Sequence, residues 1–231
     1  MTYAIFSDVH GNLVNLQDFF ECAQFLKVDQ YVCLGDVCNY YPDTLEVIDA
    51  IIERNVICIQ GNHDLMYTSS HEISGEKKKQ YNYSELIFNS YKHISFLSSL
   101  TSKLEVTMNS SVLFCHGSPL DVHEYVYPDS DLSKFSNVPN DIIFMGHTHR
   151  QFIKEINGKV FCNVGSIGMP RDNGSLFGFV LFDSDSNKIE LCRMSTNVTK
   201  VLSKYSANTP NEVLKLMNRT EPLTYKYTLY D

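Results

Sequence analysis

Five short clusters hold the residues able to do chemistry. They are Asp8 with His10, Asp36, Asn62 with His63, His116, and His147 with His149. Each follows an apolar run that reads as a buried strand: Thr2 to Phe6, Gln30 to Leu34, Val56 to Gln60, Val112 to Cys115 and Ile142 to Met145. Asp8/His10 and His147/His149 are i, i+2 pairs. In an extended chain such residues point to one face, about 7 Å apart at ~3.3 Å of rise per residue. That separation suits two ligands serving two adjacent metal ions. Taken alone, Gly146-His147-Thr148-His149 reads equally well as a turn carrying two surface histidines.

The set offers two carboxylates, one side-chain amide and five imidazoles. Imidazole together with carboxylate suits Zn, Fe, Mn, Co or Ni. The absence of a cysteine from the clusters argues against a structural zinc site, which prefers thiolates and a closed shell. The ligands are too many for one tetrahedral ion. About seven protein ligands is what two ions need when each also holds water. Two ions about 3.5–4 Å apart suit hydrolysis of phosphate esters, because they clamp the phosphoryl oxygens and lower the pKa of bound water from about 15.7 to near 7.

The elements that position these clusters alternate. After the first strand, Leu13, Leu16, Phe19, Phe20, Ala23 and Leu26 recur at helical spacing, with Asn12 as N-cap. Strand 30–34, helix 45–54 and strand 56–60 follow. This order predicts an α/β fold with parallel strands. In such sheets ligands bind beyond the carboxyl ends of the strands, where all five clusters lie. Residues 65–80 show no clear period and read as a long loop or lid, and 84–100 as a helix in which His93 is packed or at the surface. Leu104–Thr107 and Val112–Cys115 form a strand pair, and 120–141 is irregular, with Pro128 and Pro139 as breakers. The remainder is β-rich. Strands 151–156 and 159–163 flank the hairpin signal Asn157-Gly158, and 176–182 pairs with 188–194. A helix over 211–218 and an alternating tail, 224–230, close the chain.

Composition narrows the classes. The chain has 231 residues, is 43% hydrophobic and 20% charged, and carries a net charge of −8. That balance fits a globular protein and argues against a general nucleic-acid binder, which shows a basic stripe. The one basic run, Lys77-Lys78-Lys79, reads as a solvated loop. The seven cysteines include no Cys-x-x-Cys pair, and several lie in apolar runs. They read as reduced core residues in a reducing compartment. No signal peptide or 18-residue apolar span is apparent, so a cytoplasmic protein without a membrane segment is expected.

Asp8-x-His10, Gly35-Asp36, Gly61-Asn62-His63-Asp64, His116-Gly117 and Gly146-His147-x-His149 resemble the five-block signature of the calcineurin-like metallophosphoesterase superfamily, in the right order over residues 1 to about 170. The segment Val164-Gly165-Ser166-Ile167-Gly168-x-Pro170-Arg171-Asp172 is similar to one in the compact, single-domain bacterial and archaeal members. The resemblance implies a four-layer αββα sandwich: two mixed sheets flanked by helices. It implies one domain over 1–231, with a short C-terminal extension from about 197. By resemblance, Asp8, His10, Asp36 and His149 hold one metal ion. Asp36, Asn62, His116 and His147 hold the other, so Asp36 bridges. Mn is the favoured metal. His63 is not a ligand in the family but a general acid or charge stabiliser facing the phosphate, oriented by Asp64. Many phosphatases of the family carry Gly-Asp-x-x-x-Arg in the second block. Here Tyr40 takes the arginine's place, leaving Arg171, or Arg150, to supply the positive charge. The implied reaction is hydrolysis of a phosphate diester or monoester by a metal-bridging hydroxide, on a nucleotide, phosphoprotein or small sugar phosphate. The alternative is a non-catalytic interaction module of the same fold, as in the retromer subunit. An amidohydrolase on an unrelated α/β fold is disfavoured by the Gly-Asn-His-Asp block and the order of the blocks.

Overall fold

The computed structural model describes residues 1–69 and 73–230. Its first half runs β1 (Thr2–Phe6), α1 (Leu13–Phe25), β2 (Gln30–Cys33), α2 (Thr44–Glu53), β3 (Ile57–Cys58), α3 (Asn62–Thr68), α4 (Gly75–Gln80) and α5 (Tyr91–Ser99). The second half runs β4 (Lys103–Thr107), β5 (Ser111–Cys115), β6 (Ile142–Met145), β7 (Phe152–Ile156), β8 (Lys159–Asn163), β9 (Leu176–Asp183) and β10 (Lys188–Ser195). It ends in α6 (Val198–Tyr205), α7 (Asn211–Leu214) and β11 (Thr228–Tyr230). Single 3-10 turns lie at Glu85–Asn89, Leu132–Phe135 and Lys215–Asn218.

The strands form two mixed sheets, ordered β11-β10-β9-β1-β2-β3 and β4-β5-β6-β8-β7. Neighbours are parallel along β1-β2-β3 in the first and along β5-β6-β8 in the second. Alternation within each strand explains the stacking. Ile5, Val32 and Leu34 of the first sheet meet Val112, Phe114, Ile142 and Phe144 of the second in a shared core. Ala4, Phe6 and Cys33 face the opposite way, against Leu16, Phe19, Val47 and Ile51 of α1 and α2. Leu113, Cys115, Ile143 and Met145 face outward from the second sheet, against Val126, Leu132 and Phe135. These strands are buried on both faces, which is why they read as unbroken apolar runs. The layered fold is the expected one, two mixed sheets with flanking helices. The cover over the second sheet is thin, however. It comes from the irregular 120–141 segment, whose regular content is one 3-10 turn.

Three local expectations change. The 65–80 stretch is not a plain loop among its described residues. It holds the rest of α3 and all of α4, while 70–72 lie outside the described residues. Helix α4 carries the Lys77-Lys78-Lys79 run and buries no residue, so no apolar period could reveal it. A Ser74 hydroxyl that accepts from the Lys77 N–H at 3.3 Å caps it instead. The 84–100 helix is interrupted at Ser90, whose backbone is extended. Helix α6 was not expected. Its signals were Asn197, whose side chain accepts from the Lys200 N–H, and the spacing of Val201 and Tyr205. All seven cysteines are free. No helix among the described residues is long and apolar enough to cross a membrane.

Candidate metal centre

The carboxyl ends of β1, β2, β3, β5 and β6 converge along one edge where the two sheets meet, and all five clusters lie there. Asp8, His10 and His149 form one group whose ligand atoms all lie within 4.8 Å of one another, and Asp36, His116 and His147 form a second. His147 and His149 therefore fall into different groups. The cause is not the extended geometry expected from their spacing. Asp8 (φ 56°), His10 (φ 51°), Asp36 (φ 54°), His147 (φ 64°) and His149 (φ 59°) all adopt the left-handed backbone conformation. Non-glycine residues adopt it at a cost, and such strain concentrates at functional sites. The tight turns let different strands deliver side chains to contact distance, as His10 Nε2 and His149 Nε2 lie 3.2 Å apart.

The approach of these turns leaves no room for a methyl group at two glycines. A Cβ on Gly61 would lie 2.2 Å from Asp36 Oδ1, and one on Gly146 would lie 2.2 Å from Ser7 Oγ.

The donor set is one of acceptors facing acceptors. His10 Nδ1 donates to the Cys38 carbonyl at 3.0 Å, His116 Nδ1 to Leu34 at 2.8 Å, and His149 Nδ1 to Met169 at 2.6 Å. A carbonyl can only accept, so in the neutral imidazoles each Nε2 is left with its lone pair. Those lone pairs point inward. His10 Nε2 and His149 Nε2 lie 3.2 Å apart. His149 Nε2 lies 3.1 Å from Asp8 Oδ1, and His116 Nε2 lies 3.2 Å from Asp36 Oδ2 and 3.0 Å from Asn62 Oδ1. Asp36 Oδ2 is also 3.8 Å from His10 Nε2, so this one oxygen faces both groups. Asp8 Oδ1 is buried without a hydrogen-bond donor. Buried acceptors in this density need a cation between them. His147 takes the opposite tautomer. Its Nε2 donates to the His123 carbonyl at 3.2 Å, leaving Nδ1 for the second group.

Electrostatics agree with an acidic, desolvated pit. Burial pushes Asp8 and Asp36 upward, but the surrounding imidazoles more than offset it and hold both below the usual carboxylate range. Burial also opposes charge on His116, yet Asp36 beside it brings that pKa up to about 10. Burial lowers His63 and His147 to about 4.

His63 sits beside the two groups. Its ring centroid is 5.0 Å from that of His10, and Tyr40 and Tyr81 flank it at 4.9 and 4.8 Å. The partner that orients it is not Asp64. The Asp64 carboxylate accepts backbone N–H bonds from Asp36 (2.8 Å), Val37 (3.0 Å), Cys38 (3.2 Å) and Gly61 (2.9 Å). It thereby fixes the Asp36 turn to the start of α3, the bond from Gly61 being half of a capping box. Burial and the Asp36 charge push it up to about 6. The His63 partner is Asn39, whose Nδ2 lies 3.0 Å from His63 Nδ1. The Tyr67 hydroxyl accepts from the Ser84 N–H at 3.1 Å, so its own proton goes to Asn39 Oδ1 at 2.5 Å. That fixes the amide with its NH2 toward His63 Nδ1 and leaves the ring proton on Nε2.

The two candidate arginines part ways. Arg150 is committed to Glu221 of the C-terminal segment by a two-pronged pair, Nη1 to Oε2 at 2.5 Å and Nη2 to Oε1 at 2.8 Å. Arg171 has no side-chain hydrogen bond or ion pair among the described residues, and its backbone N–H donates to the His149 carbonyl at 3.2 Å. His93 is structural, as expected. It is buried on α5, between Ser90 Oγ and Asp49 Oδ1.

Sequence reasoning missed Asn39, Tyr67 and the carbonyls of Leu34, Cys38 and Met169. Only Tyr40 left a trace, as the residue standing in the arginine's place.

Comparison with known proteins gives three findings. A calcineurin-like phosphoesterase superfamily domain matches residues 1–187. The uncharacterized protein MJ0912 of Methanocaldococcus jannaschii is 27% identical over 237 aligned positions, covering 89% of this chain and 92% of that protein. Two solved structures share the fold. A metallophosphoesterase from Sphaerobacter thermophilus is 22% identical with a TM-score of 0.78, covering 94% of this chain and 98% of that one. Protein PH1004 of Pyrococcus horikoshii OT3 is 17% identical with a TM-score of 0.77, covering 94% and 97%.

Proposed function

This chain belongs to the calcineurin-like phosphoesterase superfamily, and from that membership we propose that it is a hydrolase of phosphate esters working with two divalent metal ions. The observation that carries the proposal is the convergence of buried acceptors. Three imidazole Nε2 atoms converge on the carboxylates of Asp8 and Asp36, and Asp8 Oδ1 is buried among them without a hydrogen-bond donor. Asp8, His10, Asp36 and His149 would hold one ion, and Asp36, Asn62, His116 and His147 the other, with Mn favoured. Such a pair supplies neutralisation of the phosphoryl oxygens and a water of lowered pKa.

The remaining steps belong to side chains. The free guanidinium of Arg171 takes the phosphoryl charge that the missing second-block arginine would have taken. His63 donates its Nε2–H toward the leaving oxygen, held in that tautomer by Asn39 and Tyr67. Asp64 keeps the Asp36 turn and the start of α3 in fixed relation. In the net reaction the phosphorus–alcohol oxygen bond breaks, water supplies the new oxygen on phosphorus, and a proton ends on the alcohol.

A complete ligand set with His63 beside it supports catalysis over a non-catalytic interaction module. We treat residues 1–231 as one domain whose extension from about 197 contributes to the rim of the site. The seven free cysteines support a reducing, cytoplasmic setting. The test is an assay of the Mn-reconstituted chain on bis-aryl and mono-aryl phosphates, then on nucleotides. Turnover that vanishes on chelation and returns with Mn is expected. A metal-loaded chain inert on every ester would overturn the proposal.

A further inference from the structure

Against the metal centre lies a concavity of about 280 Å³, with Tyr40, Met169, Arg171, Pro210, Val213 and Leu216 in its lining. Two of these residues join it to the centre. The Tyr40 ring stands 4.8 Å from His10 and 4.9 Å from His63, and Met169 is the residue whose carbonyl holds His149 Nδ1. Tyr40 is a dividing wall, with imidazoles on one side and the cavity on the other.

That wall is held firmly. Tyr40 has φ 63°, an unfavourable conformation for a tyrosine. Its N–H donates to the Tyr81 carbonyl at 2.6 Å, and its carbonyl accepts from Asn82 Nδ2 at 3.1 Å. A strained residue over-determined in this way keeps its ring in one place. The opposite wall, Pro210 to Leu216, comes from the C-terminal segment, beyond the 1–187 region that the family domain matches. It is apolar at Pro210, Val213 and Leu216, with Met169 continuing that character, and carries one carboxylate, Glu212, which pairs with Lys215 at 2.7 Å. The one cation in the lining, Arg171, stands on the side of the metal centre, its backbone N–H donating to the His149 carbonyl at 3.2 Å.

The chemistry of this cavity selects among phosphate esters. The wall facing Tyr40 is mainly aliphatic and offers contact area to a ring, while Gln80 and Glu212 are the polar side chains able to pair with that ring's edge. A fixed aromatic plane facing aliphatic side chains suits a flat ring. The size is at the small end for ligand pockets, which run about 300–1,000 Å³, and admits one ring system. We infer that this cavity receives the alcohol part of the ester, and that this part carries a planar ring, as in a nucleoside or aryl phosphate. The ring lies against Tyr40 with Leu216, Val213 and Met169 around it, and the phosphate points past Arg171 to the metal centre. This assignment rests on the phosphoesterase reading and names its substrate class.

The experiment uses the Mn-loaded full chain and three esters: adenosine 5′-monophosphate, phenyl phosphate and glycerol 3-phosphate. The ring esters should exceed glycerol phosphate in kcat/KM by at least tenfold. If only the nucleotide does so, the ring is a nucleobase; if both do, ring planarity is what is read. Leu216→Trp, which fills the cavity, should reduce the preference at least fivefold, mainly through KM. Calorimetry should show a larger loss of affinity for adenosine monophosphate than for inorganic phosphate in the same variant. Val213→Phe, narrowing the cavity from a neighbouring position, repeats the test should Leu216→Trp fail to fold. Equal efficiency on all three esters, or a preference untouched by both substitutions, overturns the cavity's role and leaves the phosphoesterase reading standing. A chain that cleaves none of the three but turns over bis-aryl phosphate overturns the cavity's role alone, and one inert on bis-aryl phosphate as well overturns the phosphoesterase reading with it.

Discussion

At the scale of single residues, the position of one proton matters most. His63 carries its hydrogen on Nε2 because the Asn39 amide presents NH2 to Nδ1, and Asn39 is set by the Tyr67 hydroxyl. His63→Ala should keep its metal and lose about 10²–10⁴ in rate, the usual worth of a proton-transfer group; metal loss in that variant would make His63 a ligand instead. Tyr67→Phe removes two hydrogen bonds, the one given to Asn39 and the one accepted from Ser84, each worth about 1 kcal/mol. It should lower kcat by roughly tenfold with metal content unchanged, whereas an unaltered kcat would remove Tyr67 from the relay. The clusters of the centre were legible in the sequence because acid, amide and imidazole each follow an apolar strand. The relay was not legible. Asn39 lies in a short polar loop, Tyr67 is 28 residues away, and no spacing rule joins them. Asp64 could be recognised but not placed. Its neighbour in sequence is His63, yet its carboxylate turns to four backbone N–H groups.

At the scale of elements, backbone conformation brings the ligands into contact. Five of them adopt positive φ directly after their strands. The parallel runs could be read from the alternation of strands and helices, and β1, β2, β5 and β6 from their apolar residues, which are buried toward the carboxyl ends. The left-handed turns could not, since aspartate and histidine tolerate that conformation without advertising it. Helices α4 and α6 escaped for opposite reasons. The first buries nothing and so shows no period, and the second is only eight residues long. Gly61 joins β3 to α3 against the Asp36 turn. Gly61→Ala would place a methyl 2.2 Å from Asp36 Oδ1 and 2.3 Å from Asp36 N. Overpacking of this kind costs about 1–3 kcal/mol, and here it displaces the carboxylate that faces both groups. The variant should bind metal at least tenfold more weakly than the native chain; native affinity would mean that the turn has slack that the structure does not show.

At the scale of the molecule, the C-terminal segment and the centre are tied to one framework. Arg193, on β10, is fully buried and pairs with Asp172, the neighbour of Arg171. It also donates to the Leu176 carbonyl at 3.0 Å. Asp172→Ala would leave that guanidinium buried without its counter-charge, a loss of about 3–5 kcal/mol. The denaturant midpoint should fall accordingly; a shift below about 1 kcal/mol would mean that water reaches Arg193. The exposed pair Arg150–Glu221 is a weaker tie. Glu221→Gln should change stability by less than about 1 kcal/mol. In the metal-loaded molecule, the two groups of buried acceptors facing Asp36 are expected to hold two ions. The most direct measurement is the metal content of the chain after equilibrium dialysis against Mn, by mass spectrometry, for the native protein and for Asp36→Asn. Two ions per chain are expected in the native protein and neither retained in the variant. One ion or none in the native protein, or two retained without the Asp36 carboxylate, would contradict this expectation.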